Sequence, residues 1–180
     1  MVQQRLRRWE TAGVAFILLV GSALHFAFEW SGYWRPIAWL AAVNESVWEH
    51  LKLAFWPALV FALAEYAAFG ARMAGFWAAK SVGIIVMPAA IVALFYAYTA
   101  LLGHGFFVLD VLIFIVAVAL GQRVSYRLLS AKRRTSTAVI ALPVLLALAF
   151  VVFSYRAPEV GLFRDGPTGN CGILEEYGAR

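Results

Sequence analysis

Histidine and glutamate side chains at helical spacing mark the part of this sequence that could do chemistry. His25 and Glu29 are four residues apart, Glu45 and Glu49 repeat that spacing, and His50 follows directly. Side chains four residues apart lie on one face of an α-helix, close enough to share a ligand. Imidazole and carboxylate groups are ligands that zinc and other divalent ions accept. The sequence therefore predicts a divalent-metal site, for an ion such as zinc, with His25, Glu29, Glu45 and His50 as ligands.

The same stretch and one distant acid could also supply a catalytic acid and base. Glu45 and His50 have no evident structural task. Asp110 lies inside an apolar segment, where an unpaired carboxylate is costly, so it should meet Lys52, a histidine or a bound ion. We predict Glu45, His50 and Asp110 as catalytic residues.

Several of these residues also have a structural explanation. Ser46 followed three residues later by Glu49 is a capping box, in which the two side chains satisfy the free N–H groups of a helix start. We therefore assign Ser46 to helix capping and Glu49 to a structural role. His25 also fits a packed core histidine, and Glu29 fits a carboxylate that reaches the membrane interface.

The composition defines the class of protein that must position these groups. Of the 180 residues, 63% are hydrophobic and only 14% are charged, whereas soluble domains are about 45–50% apolar. This indicates a membrane protein with the lipid bilayer as its surroundings. The net charge of +5 does not indicate a nucleic-acid partner, because the basic residues cluster beside apolar runs, as they do in the loops of membrane proteins.

Five apolar segments have the length of a membrane-spanning helix, about 20 residues. Their predicted bounds are 12–30, 46–69, 80–102, 106–122 and 137–155. Pro36 and the residues up to Val43 predict a short interfacial helix between the first two spans. The predicted fold is thus an all-α integral membrane domain over residues 1–155. A Gly- and Pro-rich extramembrane tail follows over 156–180, either as a lid over the polar residues or as a loose end.

The basic residues also predict the orientation of the chain. Cytoplasmic loops of membrane proteins carry an excess of lysine and arginine. With a cytoplasmic N-terminus and an outer C-terminus in the cell (inner) membrane, all histidines and eight of the ten acids fall near the outer leaflet, the exceptions being Glu10 and Glu65. Ten of the fifteen basic residues then lie inside: Arg5, Arg7, Arg8, Arg72, Lys80, Arg123, Arg127, Lys132, Arg133 and Arg134.

The two polar stretches are expected to form one site. About fifteen residues join the first two spans, so these spans should be antiparallel neighbours with both stretches near the same membrane surface. We predict that polar atoms of His25 approach those of Glu45, Glu49 or His50 within roughly 5 Å, the distance of a direct bond, a water bridge or a shared ion.

The residues of this site resemble those of a known family. The run from Val43 to Leu53 is similar to a segment of small multi-pass prokaryotic membrane proteins, a family catalogued as a domain of unknown function. The most specific part is the motif N-E-S-x-W-E-H, which here is Asn44 to His50. His25-Phe26, Glu29-Trp30-Ser31 and tail residues around Gly161 and Asp165 carry the rest. The resemblance implies a membrane protein with these polar positions and supplies no activity.

Three functions from different classes fit the sequence. A metal-dependent intramembrane enzyme would use the site on a lipid or lipid-linked substrate. A non-catalytic accessory or assembly protein would use the polar residues only to hold its helices together. A small ion-coupled transporter would bind a cation at the acids, with Pro57 and Pro88 marking broken helices, but Glu65 as the only acid deep on the inner side argues against its polar path. The sequence carries no signal for an oligomeric state.

Overall fold

Five long helices make up most of the part of the chain that the computed structural model describes, residues 2–131 and 136–174. Each is long and apolar enough to cross a membrane, as the sequence predicts for a multi-pass membrane protein. The helices are α1 (Val2–Trp30), α2 (Val47–Ala68), α3 (Phe76–Leu102), α4 (Phe107–Ser130) and α5 (Ala141–Tyr155), the last continuing a 3-10 turn, Thr137–Ile140.

Three helices extend beyond the bounds predicted from hydropathy. α1 begins at Val2 instead of Ala12, α3 begins at Phe76 instead of Lys80, and α4 ends at Ser130. The added turns of α1 and α4 are rich in arginine, which favours the helical backbone almost as well as leucine. An apolar run therefore marks the membrane-crossing part of a helix and not its ends.

The segment between α1 and α2 differs from the short helix predicted there. It has a single 3-10 turn, Arg35–Ile37, with Pro36 at its start. Gly32 and Tyr33 precede this turn with positive φ angles of 69° and 61°, which reverse the chain at the end of α1. The rest of the segment forms turns whose small apolar side chains, including Ala38 and Ala41, are fully buried.

Helices α1 to α4 pack as a ring in which each helix contacts the next and α4 contacts α1. The chain reverses direction at each step: Arg5 near the start of α1 donates a hydrogen bond to the carbonyl of Ala68 at the end of α2. Glycine allows α3 and α4 to approach closely, because a Cβ added at Gly83 of α3 would lie 2.7 Å from the carbonyl oxygen of Gly121 of α4. Small residues serve the same purpose in other membrane helix pairs.

Helix α5 lies against the outside of this ring. Its Phe150 is fully buried and contacts the rings of Trp48 and Phe55 on α2. Many large apolar side chains point away from the bundle, as expected of a lipid-facing surface, among them Leu19, Leu101, Phe107, Val108, Leu145 and Leu148.

Candidate functional site

His25, Glu45 and His50, named here the histidine cluster, lie together at one end of the bundle. His25 Nε2 is 3.7 Å from Glu45 Oε1, and His50 Nε2 is 3.4 Å from Glu45 Oε2. One ligand atom from each residue lies within 4.8 Å of the other two. The prediction that His25 approaches the polar stretch of the second span is confirmed.

A close contact between α1 and α2 positions the two histidines. A Cβ added at Gly21 would lie 2.4 Å from the carbonyl oxygen of Leu53, so only glycine permits this spacing of the two backbones. His25 lies one turn beyond Gly21, and His50 lies just under one turn before Leu53 on the antiparallel helix. The two imidazole rings therefore meet, with their centroids 5.2 Å apart.

The hydrogen bond of His50 fixes which ring nitrogen faces the cluster. Its Nδ1 is 2.8 Å from the carbonyl oxygen of Ser46, one turn earlier in the chain. A carbonyl oxygen only accepts, so Nδ1 carries a proton and donates it. In the neutral ring, Nε2 then has the free electron pair and faces Glu45. Such an arrangement, in which a carbonyl holds the far nitrogen, is usual for metal-binding histidines.

The C-terminal tail holds the backbone of Glu45, and the histidines affect the pKa of its side chain. Its backbone N–H donates to Asp165 Oδ1 at 2.8 Å. When His50 carries a second proton on Nε2, its hydrogen bond lowers the pKa of Glu45, and the charges of protonated His50 and His25 act in the same direction, whereas partial burial opposes them. Glu45 is therefore a carboxylate at neutral pH.

The rest of the tail closes over the turn that carries Glu45. The side-chain N–H of Asn44 donates to the carbonyl of Gly172 at 2.7 Å. The ring of Phe163 is buried against Trp48, with centroids 4.7 Å apart. The described part of the tail is thus packed on the end of the bundle, next to the histidine cluster.

Only one of the two hydrogen bonds of the predicted capping box is present. Ser46 caps α2 by accepting a hydrogen bond from the N–H of Glu49, as predicted. The Glu49 side chain does not return to Ser46, because its Oε2 accepts instead from the N–H of Val43 at 3.0 Å and from Lys52 Nζ at 2.5 Å. The structural role predicted for Glu49 is therefore present in a different form.

Lys52 does not meet Asp110, and the prediction that they pair is wrong. Its ammonium group is fully buried and donates to the carbonyl of Ala38 at 2.8 Å, to Glu49 and to Ser154 Oγ of α5 at 2.7 Å. The sequence could not show that the segment before α2 folds back and offers carbonyl groups at this point. Lys52 thus links that segment, α2 and α5.

The remaining predicted site residues lie apart from the histidine cluster. Asp110, in the first turn of α4, accepts a hydrogen bond from the Tyr98 hydroxyl at 2.6 Å and so closes the turn from α3. Glu29 is exposed on α1. Neither belongs to the group of possible ligands found among the described residues. The catalytic role of Asp110 and the metal-ligand role of Glu29 stay predictions.

Comparison with known proteins identifies the family. The model of a family of unknown function (DUF6512) matches residues 1–173. The chain belongs to this family. No curated protein and no solved structure matches it. The resemblance to a family of unknown function is confirmed, and because the DUF6512 description names no activity, the function has to be argued from geometry.

This DUF6512 member has a second polar cluster at the other end of the same helices. Glu10 of α1, Glu65 of α2 and Lys80 of α3, named here the lysine cluster, are all buried. Lys80 Nζ lies 2.7 Å from Glu10 Oε1 and contacts Glu65 Oε2. Glu10 was missed, because the predicted first span began at Ala12.

Proposed function

We propose that this protein binds a divalent metal ion, such as zinc, at the histidine cluster. The protein uses this ion to hydrolyse a lipid or lipid-linked substrate at the membrane surface. His25, Glu45 and His50 are the proposed ligands. Two histidines and one glutamate form the ligand set of a large class of catalytic zinc sites. Such an ion activates a water molecule for hydrolysis.

The observation that carries the proposal is the environment of His50. Its Nδ1 donates to the Ser46 carbonyl, and its Nε2 lies 3.4 Å from a Glu45 carboxylate oxygen. Two acceptors on one imidazole require a cation between Nε2 and the carboxylate, either a second proton on the ring or a metal ion. His25 Nε2 approaches the same carboxylate from the other helix at 3.7 Å. A metal ion satisfies all three groups at once.

The distances are near those of a tetrahedral ion bound by three protein ligands. Ligands bound about 2.1 Å from zinc at tetrahedral angles lie roughly 3.4 Å apart. His50 and His25 approach different oxygens of Glu45, at 3.4 and 3.7 Å, and one atom from each of the three residues lies within 4.8 Å of the others, so the side chains would draw slightly together around an ion held by one carboxylate oxygen. With Glu29 and Asp110 outside the group, three protein ligands remain. A site with three protein ligands leaves one position for water or substrate, which distinguishes catalytic zinc sites from structural ones.

The surroundings of the histidine cluster favour a substrate that comes from the bilayer. The side chains of His25, Glu45 and His50 are 25%, 52% and 35% exposed to solvent, so the cluster is open to a ligand. Phe26 and Trp30 are exposed beside it on α1. Exposed aromatic rings are typical of the level of lipid headgroups. An amphiphile lying there could bring a hydrolysable headgroup to the ion.

Metal content is the direct test of the ligand set. Protein purified in mild detergent with zinc present should contain one ion per chain by elemental analysis. His50→Ala and Glu45→Ala should lose it. His104→Ala is the matched control, since His104 is an exposed histidine at the turn between α3 and α4 and should leave the ion in place. Absence of zinc from the wild type, or equal zinc in all four proteins, would refute the proposal.

The lipid content of cells separates an enzyme from an accessory protein. Lipids extracted from cells producing the wild type and cells producing His50→Ala at equal levels should differ in at least one species if the site is hydrolytic. Identical lipid profiles for a metal-bound wild type and the variant would favour the alternative, a non-catalytic accessory or assembly protein stabilised by its polar contacts.

A transporter is the less favoured alternative. Between the two polar clusters the bundle is filled by buried apolar residues, among them Ile17, Phe55, Ala58, Met87 and Val118. α2 and α3 continue as helices through Pro57 and Pro88, whereas transporter sites are typically formed by interrupted helices. Within the described residues, neither a polar path nor a broken helix therefore supports transport.

We propose that the protein lies in the inner membrane of the cell, with the lysine cluster on the cytoplasmic side. The end of the bundle with the lysine cluster also carries Arg5, Arg7, Arg8, Arg72, Arg123 and Arg127, an excess typical of the cytoplasmic side. Lys132, Arg133, Arg134 and Arg180 lie outside the described residues. A reporter active only in the cytoplasm should work when fused after Lys132 and fail after Arg180. Equal activity at both positions would contradict this orientation.

A further inference from the structure

The lysine cluster contains two acids and one lysine with almost no access to solvent. The side chains of Glu10, Glu65 and Lys80 are 5%, 0% and 3% exposed. They come from three helices, so the cluster is built by the packing of the bundle and not by neighbouring residues of one helix. It is independent of the histidine cluster, which lies fifteen residues away along both α1 and α2, roughly 22 Å.

The groups around the cluster do not balance its charge. The Ser125 hydroxyl of α4 donates to Glu10 Oε1 at 3.0 Å, and the Gln122 side chain donates to the Glu10 backbone carbonyl at 3.4 Å. From α3, the ring of Phe76 faces Lys80. These neighbours are neutral. With both acids ionised, the buried cluster would therefore carry one net negative charge.

A net charge buried in a membrane protein is costly unless a bound ion or proton removes it. Glu10 Oε2 and both side-chain oxygens of Glu65 have no hydrogen-bond partner among the described residues, although Glu65 Oε2 contacts Lys80. Metal cations that prefer oxygen, such as Ca²⁺, take about six to eight oxygen ligands, and these three oxygens are too few. A proton needs only one oxygen and no added space.

We propose that the lysine cluster is a proton-binding site, in which Glu10 and Glu65 share one exchangeable proton beside the ammonium group of Lys80. The proton resides mainly on Glu65. Glu10 accepts hydrogen bonds from both Lys80 and Ser125, which favour its ionised form, whereas Glu65 accepts none from the described residues and only contacts Lys80. Gain and loss of the proton belong to the pair of acids as a unit.

Infrared spectroscopy of the purified protein tests this proposal, because a protonated carboxyl group has a C=O band that shifts in D₂O. The wild type should show such a band at neutral pH. Glu65→Gln and Glu10→Gln should each abolish it, since either change leaves one acid paired with Lys80. Lys80→Met should roughly double it, since two acids then need protons. Asp110→Asn, at an acid outside the cluster, should leave it unchanged.

The pattern across these variants decides between a proton site and a structural ion pair. If the wild type lacks the band, or the band survives in both Glu65→Gln and Glu10→Gln, the proposal is wrong. A wild type without the band whose melting temperature rises with sodium would contain a metal cation instead, which also refutes it. If Lys80→Met does not fold, the two glutamine variants still decide, because each keeps one balanced ion pair.

Discussion

The two polar clusters lie at opposite ends of the same helix pair and differ in whether a cation is built in. In the lysine cluster, Lys80 contacts both acids, and all three side chains are at most 5% exposed. In the histidine cluster, the carboxylate of Glu45 has only imidazoles beside it, at 3.4 and 3.7 Å, and is half exposed. Solvent access and a built-in cation therefore distinguish the two clusters. A buried cluster with its own cation holds helices together, whereas an open one has room for an added ion.

The largest expected effect comes from removing the built-in cation. Lys80→Met leaves Glu10 and Glu65 without a cationic partner, and breaking a buried ion pair costs about 3–5 kcal/mol. His50→Ala removes a partly exposed ring and should cost less than about 1 kcal/mol. Thermal unfolding in detergent at pH 8 measures both. Equal losses of stability would remove the proposed difference between the clusters.

A substitution at Gly21 should disturb the open cluster through the backbone. The added Cβ of Gly21→Ala meets the Leu53 carbonyl, so α1 and α2 must separate, at a cost of about 1–3 kcal/mol. His25 and His50 then move apart and zinc affinity falls. Gly161→Ala is the control, because no atom lies within 4 Å of its added Cβ. Zinc titrations on both variants check this, and unchanged affinity in Gly21→Ala would contradict it.

Asp165 is expected to affect zinc affinity through its hydrogen bond with Glu45. Asp165→Ala removes the acceptor of the Glu45 N–H, which should lower zinc affinity by about 10–100-fold, the usual range for groups that hold a ligand in place. Glu159→Ala changes an exposed acid of the same tail and serves as the control. The prediction fails if the two variants bind zinc equally well.

The smallest effect concerns pH in the metal-free protein. The folded structure lowers the pKa of Glu45, so its carboxylate stabilises the fold above the ordinary glutamate pKa of about 4.3. That contribution is lost as the pH falls through the lower, folded value. The melting temperature of the wild type should therefore exceed that of Glu45→Gln at pH 6, and the difference should vanish in acid. A melting-temperature difference between the wild type and Glu45→Gln that grows in acid would contradict this prediction.

Hydropathy and spacing were enough to predict the five helices and the meeting of His25 with the second span. Helix periodicity and a short connection determine which ends come together. The partners of buried charges could not be predicted in the same way. The acceptors of Lys52 include a backbone carbonyl in the preceding segment and Ser154, which is 102 residues later. Glu10 escaped notice because hydropathy placed the start of the first span after it, whereas the α-helix begins at Val2.

The docking of the tail has a consequence for the order in which the protein is made. Glu45 and Asn44 donate hydrogen bonds to Asp165 and Gly172, which lie 120 and 128 residues later in the chain. A ribosome has therefore already translated α5 before the turn at Glu45 can reach its final form. The lysine cluster needs only residues up to Ser125 and can assemble while translation continues. The surroundings of the proposed zinc site are thus completed only after α5 and the tail up to Gly172 have been synthesised.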